Sequence, residues 1–325
     1  MRAIIHTEYG PPEILKFTEV AKPTPKDDEV LIKIRAASVN PLDWHYLRGA
    51  PYLIRIGAGW SRPKAARFGF DLAGQVEAVG RAVTLFRAGD EVFGAGRGAF
   101  AEYACVAERS LARKPANVTF EQAAAVTVAG VSALQGLRDQ GRIQSGQRVL
   151  INGAAGGVGT FAVQIARWFG AEVTGVCSTG NVDLVRSIGA HQVVDYTRED
   201  FTRSGRRFDL IIDNVGNHSL SECRRVLTPA GTLVLIGGTD PGRWLGPMKG
   251  LLKALVWSPF VSQKVRPFLM HLRQADLIVM QGLLAAGKVT PVIDRTYALN
   301  EVAQAIRYLE AGHARGKVVI SLGSQ

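Results

Sequence analysis

The stretch that most restricts the fold runs from Arg148 to Phe169. Val149-Leu150-Ile151 reads as a buried strand, and Asn152-Gly153-Ala154-Ala155-Gly156-Gly157-Val158-Gly159 reads as a glycine turn. Val158, Phe161, Ile165 and Phe169 then recur at helical spacing. Strand, glycine turn and helix in that order open a dinucleotide-binding βαβ unit. The fingerprint is Ala154-x-Gly156-x-x-Gly159, with Ala in place of the first glycine. Gly156 lets backbone approach a pyrophosphate, and Gly159 lets the helix lie against the strand. The whole run Ala154, Ala155, Gly156, Gly157, Val158 and Gly159 is the expected cradle, its N–H groups at the positive end of the helix dipole.

The second strand bears on which nucleotide is held. An Asp or Glu at its end would accept from ribose hydroxyls and repel a 2′-phosphate. Here the strand runs into Cys177-Ser178-Thr179-Gly180-Asn181, and the next acid, Asp183, falls on the following helix. Ser178 therefore favours NADPH over NADH by absence of repulsion, although no Arg or Lys replaces the acid.

Apolar strands at Val149–Ile151, Glu172–Val176, Gln192–Val194, Asp209–Ile212 and Gly231–Leu235 alternate with Ala-rich helices. That alternation implies right-handed βαβ units and a doubly wound parallel sheet. The ends of the fourth and fifth strands, Asn214-Val215-Gly216 and Ile236-Gly237-Gly238-Thr239, lie at the carboxyl edge where such sheets bind ligands, or are ordinary strand-end turns. Residues 1–120 read as β-rich, with runs such as Glu29–Ile34 and Gly74–Val79 between Pro- and Gly-containing turns. After Gly287 short strands, Thr290–Ile293 and Lys317–Ser321, flank a helix around Glu301–Leu309. The layout is a discontinuous first domain, 1–121 and 287–325, with an α/β domain, 122–286, inserted in it.

A chain of 325 residues suits two domains, and 47% hydrophobic with 21% charged residues is globular composition. The net charge of +11 is scattered singly, as at Arg81, Arg87, Arg138 and Arg167, so no nucleic-acid partner is expected. Cys105, Cys177 and Cys223 are far apart, giving neither a disulfide framework nor a cysteine zinc site. That usage fits a cytoplasmic protein. The N-terminus has no apolar signal core, and no stretch is long enough to span a membrane.

Ser38-Val39-Asn40-Pro41-Leu42-Asp43, Gly69-Phe70-Asp71-Leu72-Ala73-Gly74, Gly89-Asp90-Glu91-Val92-Phe93-Gly94, Asn152–Gly159, Asp213-Asn214-Val215-Gly216 and Gly316-Lys317-Val318-Val319-Ile320 give the chain a wider resemblance. Over its whole length it resembles the zinc-independent quinone oxidoreductase branch of the medium-chain dehydrogenase/reductases, the zeta-crystallin-like enzymes. The resemblance implies a Rossmann domain inserted in a β-rich GroES-like catalytic domain, and a homodimer. Zinc-dependent relatives place Cys where this chain has Asn40 and His-Glu where it has Phe70-Asp71. Their structural zinc lobe needs four cysteines where this chain has Gly94–Phe100. Zinc requires thiolate or imidazole ligands in a fixed set, so no zinc is expected.

Without a Lewis acid, hydride from the nicotinamide must go to an acceptor that spreads the charge itself. That implies a quinone or an α,β-unsaturated carbonyl as small-molecule substrate. An alcohol, aldehyde or 2-enoyl thioester substrate, or an NADPH-binding redox sensor without turnover, stays open. By resemblance Asn40 lies beside the nicotinamide, or forms an Asx turn before Pro41. Asp43 organises the same loop or caps a helix. His45 is the candidate proton donor, with water or a purely structural role as alternatives. Ser132 would reach the cofactor near the nicotinamide, and Tyr196 would touch the 2′-phosphate. Asn181 stands where some relatives carry Lys. Lys317 would reach the phosphates from the returning domain, or lie on the surface.

From Pro241 to Ala275 there is no Asp or Glu, while Trp244, Met248, Leu251, Leu252, Leu255 and Val256 follow helical spacing. Residues 241–275 are thus expected to be a peripheral membrane contact, a subunit interface or a lid over the pocket.

Overall fold

The computed structural model describes residues 1–237 and 263–323. They form two compact units, Met1–Val131 with His271–Gln325, and Ser132–Met270.

The spine of the first unit is β3 (Glu29–Val39), eleven residues rich in β-branched and apolar side chains. It pairs antiparallel with β4 (Asp71–Val79), β6 (Tyr103–Ala107) and β15 (Lys317–Ser321). With β5 (Glu91–Ala95), β7 (Leu111–Arg113) and β14 (Ile293–Ala298) they make a seven-stranded sheet in the order β14-β15-β3-β4-β5-β7, β6 joining at β3. Ile32, Ile34, Leu72, Phe100, Leu111, Val318 and Ile320 are buried in one cluster on this sheet. The register sets Ser38 opposite Asp71, and Val39 opposite Val318. The end of β3 thus meets the starts of β4 and β15. Helix α1 (Pro41–Arg48) leaves this corner with Asn40 as N-cap, Pro at its first turn and Asp43 closing the capping box.

The second unit carries a six-stranded, all-parallel sheet. Its strands are β8 (Arg148–Asn152), β9 (Glu172–Cys177), β10 (Gln192–Asp195), β11 (Phe208–Asp213), β12 (Leu227–Leu235) and β13 (Lys264–Pro267), ordered β10-β9-β8-β11-β12-β13. Val149–Asn152 are all buried, as expected of a strand covered on both faces. The order reverses between β8 and β11, the crevice in which open α/β sheets bind ligands.

The five expected strands of this sheet are present, and β13 adds a sixth that periodicity did not reveal. The strand expected at Thr290–Ile293 instead starts at Ile293, because Pro291 has no N–H for a ladder. Helix α3 (Phe120–Ala124) packs on β3 and β4 of the first unit. The helix Gln274–Ala285 is tied there as well, with Gln274 donating to Glu108 O and Leu111 O at 3.1 Å each. The expected boundary at 121/122 cuts α3, and the expected α/β range 122–286 takes in Gln274–Ala285, because helices carry no signal of which sheet they cover. Gly238, and residues 241–262 of the acid-free segment, lie outside the described residues. Among the described residues no helix is long and apolar enough to cross a membrane.

Candidate active site

In the cradle, β8 ends at Asn152, Gly153 turns with φ +74°, and α5 (Gly157–Trp168) begins after Gly156 as N-cap. Residues 159–166 of α5 are buried on all sides, so the helix is fixed against the sheet. Gly159 is where no side chain fits, since a Cβ would stand 2.0 Å from Gly153 O. Gly156 differs, because the nearest atom to a Cβ there is Gly153 O at 3.4 Å, an ordinary contact. The fold would tolerate alanine at 156, so glycine there keeps the outer face of the turn open to a ligand.

The carboxyl edge of the same sheet is stitched together by amides. Asn152 Nδ2 donates to Asp213 Oδ1 and Asn217 Oδ1, each at 2.9 Å, and Asn214 Nδ2 donates to Asn152 O at 2.9 Å. Asp213 also accepts from the N–H groups of Val215 and Gly216 at 3.0 and 2.9 Å. Gly237 passes so close that a Cβ would meet Asn214 O at 2.1 Å. Asn214, Val215 and Gly237 therefore sit together on the edge read from the sequence.

Ser178, Asn181 and Tyr196 gather at the ends of β9 and β10. Asn181 Nδ2 donates to Ser178 Oγ at 3.1 Å, and Tyr196 N–H donates to Cys177 O at 3.0 Å. An acid missed by reading along one strand enters from the next, for Asp195 pairs in register with Cys177. Its carboxylate accepts from Thr179 Oγ1 at 2.6 Å and from Thr197 N and Oγ1 at 3.0 and 2.8 Å. Arg198 Nε lies 3.5 Å away. These bonds, that of Thr179 foremost, hold the carboxyl below the usual Asp range.

In the first unit the strand ends bring charges into the dry interior. Asp71 and Asp43 are wholly buried, Asn40 and Lys317 nearly so. Lys317 Nζ donates to Asn40 Oδ1 at 2.5 Å and to Val39 O at 3.4 Å, and lies 3.7 Å from Asp71 Oδ2. Asp71 accepts from Asn40 Nδ2 at 3.0 Å, Ser38 Oγ at 3.1 Å and Val128 N–H at 3.1 Å. Asn40 N–H donates to Asp43 Oδ2 at 2.7 Å, leaving Asp43 Oδ1 without a partner. Burial raises Asp71 and lowers Lys317, and their opposite charges offset part of both shifts. Asp43 has no cation of its own, and burial, with Asp71 adding repulsion, pushes it up to about 8. The network therefore holds one proton on Asp43 at neutral pH.

The structure bears on three of the expected site residues. Asn40 has both amide hydrogens engaged, on Asp71 and on Ser38 O at 3.4 Å, so it offers an acceptor atom and no donor. Lys317, expected at the phosphates, is engaged inside the first unit because a buried ammonium requires a counter-charge. His45 stacks on Trp44 with ring centroids 3.7 Å apart and donates Nδ1–H to Ala50 O at 2.8 Å. Its neutral tautomer leaves Nε2 bare, and burial lowers its pKa, so it makes a poor proton donor. Ser132 is buried on α4 (Thr127–Gln135). Sequence reading passed over Asp71 and Ser38 as network members and did not single out Thr127, whose buried Oγ1 has no partner. An acid inside the apolar run from Phe68 to Ala73 was the available signal.

Buried acceptors also stand open at the nucleotide side, Asn181 Oδ1 and Asn214 Oδ1. An unpaired buried acceptor costs about 1–3 kcal/mol, which ligand hydroxyl or amide N–H groups would relieve. With the open face of Gly156, these residues fit a nicotinamide dinucleotide. Among the described residues no group of three or more His, Cys, Asp or Glu is placed to hold a metal ion.

The alcohol dehydrogenase GroES-like domain model matches residues 26–116, and the zinc-binding dehydrogenase model matches residues 188–320. The chain is 36% identical to the 2-methylene-furan-3-one reductase of Solanum lycopersicum over 98% of this chain and 79% of that one. It is 33% identical to the quinone oxidoreductase of Lama guanicoe, covering 99% and 98%. This chain is a medium-chain dehydrogenase/reductase of the quinone oxidoreductase branch. A medium-chain reductase solved with NADPH, the Escherichia coli quinone oxidoreductase, superposes with a TM-score of 0.84 at 25% identity, covering 99% of this chain and all of that one. Membership makes the protein an oxidoreductase of GroES-like and Rossmann architecture.

Proposed function

We propose that this reductase takes hydride from NADPH, without zinc, and delivers it to a quinone or an α,β-unsaturated carbonyl. The observation that carries the reading is Asn40. Where zinc-dependent relatives hold a metal ligand, its amide oxygen accepts from Lys317 and its amide nitrogen donates to Asp71. Neighbouring Phe70 offers no donor atom at all.

Bound NADPH supplies the hydride; the chain supplies position and exclusion of water. Within Ala154–Gly159 the N–H groups that open helix α5, those of Gly157, Val158 and Gly159, hold the pyrophosphate, since Ala154 N–H donates to Val176 O and Gly156 N–H to Gly153 O. Asn181 and Asn214 accept from the nucleotide. Ser178 and Tyr196 receive the 2′-phosphate; Thr179 spends its hydroxyl hydrogen on Asp195, whose carboxylate has Arg198 Nε 3.5 Å away as counter-charge. Asn40 has no hydrogen left for a developing oxyanion, which suits an acceptor that delocalises its own charge. With His45 donating to Ala50, the proton comes from water. The working assembly is a cytoplasmic homodimer.

Consumption of NADPH and NADH is to be measured against quinones, enones, 2-enoyl thioesters and aldehydes, with and without chelator. Turnover of a quinone or enone that favours NADPH and survives chelator is expected. NADPH binding with no turnover across the panel would favour the sensor alternative, and loss of activity in chelator would restore a metal. A sizing column tests the dimer.

A further inference from the structure

The stretch from Trp44 to Phe70 contains no Asp or Glu and carries Arg48, Arg55, Arg62, Lys64 and Arg67. Two of these cations are tied inward. Arg48 pairs with Glu310 at 2.6 Å. Arg55 donates to Gly49 O at 2.8 Å with its guanidinium over the rings of Tyr9 and Tyr52, 4.4 and 4.7 Å from their centroids. Arg62 and Lys64 are exposed. Together with His6, Thr7, Pro63 and Ala66 they wall an open hollow of about 550 Å³.

The same segment holds large apolar side chains out in water. Leu53, Ile56 and Trp60 are 40%, 68% and 65% exposed. Leu53 caps, and Ile56 lies within, the short helix α2 (Ile54–Ala58), three residues apart and so on one face. The backbone beyond it is fixed. Gly59 turns with φ +120°, Tyr9 Oη donates to Gly59 O at 2.6 Å, and Lys64 N–H donates to Ala58 O at 2.7 Å. Arg62 O comes so near that a Cβ at 59 would stand 2.1 Å from it. Trp60, Arg62 and Lys64 are thereby folded back onto the helix that carries Ile56.

A Trp and two aliphatic side chains held in water beside outward cations have the composition of a membrane-interface contact. We propose that residues 53–64 dock the protein on an anionic phospholipid surface. Leu53, Ile56 and Trp60 enter the interface, and Arg62 and Lys64, at the hollow, engage lipid phosphates. An acidic protein surface would call for the cations alone. A second copy of this chain would set the same cations against each other. The proposal rests on residues 53–64 alone and does not depend on which acceptor is reduced.

The test is co-sedimentation of the whole protein with vesicles of phosphatidylglycerol and phosphatidylcholine in equal amounts, beside pure phosphatidylcholine, at low and high salt. Binding to the anionic vesicles that falls with salt is expected. Arg62→Glu with Lys64→Glu should weaken it by about tenfold or more, since each cation near such a surface contributes severalfold. Ile56→Ser with Trp60→Ser should weaken it comparably at all salt concentrations. Both variants should keep the wild-type melting temperature and NADPH oxidation with a soluble quinone, which separates lost docking from lost folding. Wild-type protein left in the supernatant at low salt overturns the proposal, as do variants that bind like wild type. A change in the variants' elution volume would assign the face to self-association and overturn it too.

Discussion

The cradle is built from the backbone and glycine turns of consecutive residues, Ala154–Gly159. In the first unit Ser38, Asn40, Asp43, Asp71 and Lys317 come from β3 and the residue after it, α1, β4 and β15. The cradle is electrically neutral and needs no partner beyond its own turn and helix. The network is charged, dry and held by side chains far apart in the chain. One site is therefore sensitive to added volume and the other to a lost charge.

Removing a charge should give the largest effect. Lys317→Met leaves Asp71 buried without its cation and should destabilise the fold by about 3–5 kcal/mol, read by urea unfolding. Adding Asp71→Asn should recover more than half of that loss. If the single variant costs under about 1 kcal/mol, the pair does not compensate as its geometry indicates.

Volume comes next. Gly159→Ala drives a Cβ toward Gly153 O and should cost about 1–3 kcal/mol while weakening NADPH binding. Gly156→Ala should leave stability within about 0.5 kcal/mol and still weaken NADPH binding by about tenfold. Equal losses of stability at both positions would erase the distinction between a packing glycine and a ligand glycine.

Asp43 distinguishes the two regions by pH. Burial pushes its carboxyl up to about 8 in the folded chain against 3.8 as a free side chain, so the folded state holds the extra proton. Stability from this group is fully present below the unfolded value and is lost as pH rises toward 8, by at most about 1.4 kcal/mol per pH unit. Asp43→Asn should remove that slope from urea-unfolding curves across the window. A slope unchanged by the substitution would place the titration elsewhere.

The smallest effect is expected at His45. With Nδ1 donating to Ala50 O, His45→Gln should change kcat less than about threefold and leave its pH profile in place. A loss of about 100-fold would restore the imidazole as proton donor.

The doubly wound sheet and its cradle were legible because strand period, glycine turn and helix period are local patterns. β13 was not, since a four-residue strand has too little period to stand out. Asn40 was singled out by resemblance, yet its loss of donor capacity is visible only where Asp71 and Ser38 O meet its amide. Asp195 escaped for a similar reason, entering the β9 end sideways, through parallel pairing rather than along the chain.

The sequence by itself determined the alternation of strands and helices around the cradle, the glycines of the cradle, and the neutral residues that follow β9 along the chain. Each depends on neighbours a few residues apart, where covalent geometry and periodicity suffice. Only the tertiary structure decided that Lys317 neutralises Asp71, that Asp43 keeps its proton and that His45 faces a carbonyl. Those outcomes depend on burial, and for Lys317 on charges brought within a few ångströms across hundreds of residues, neither of which a local pattern encodes.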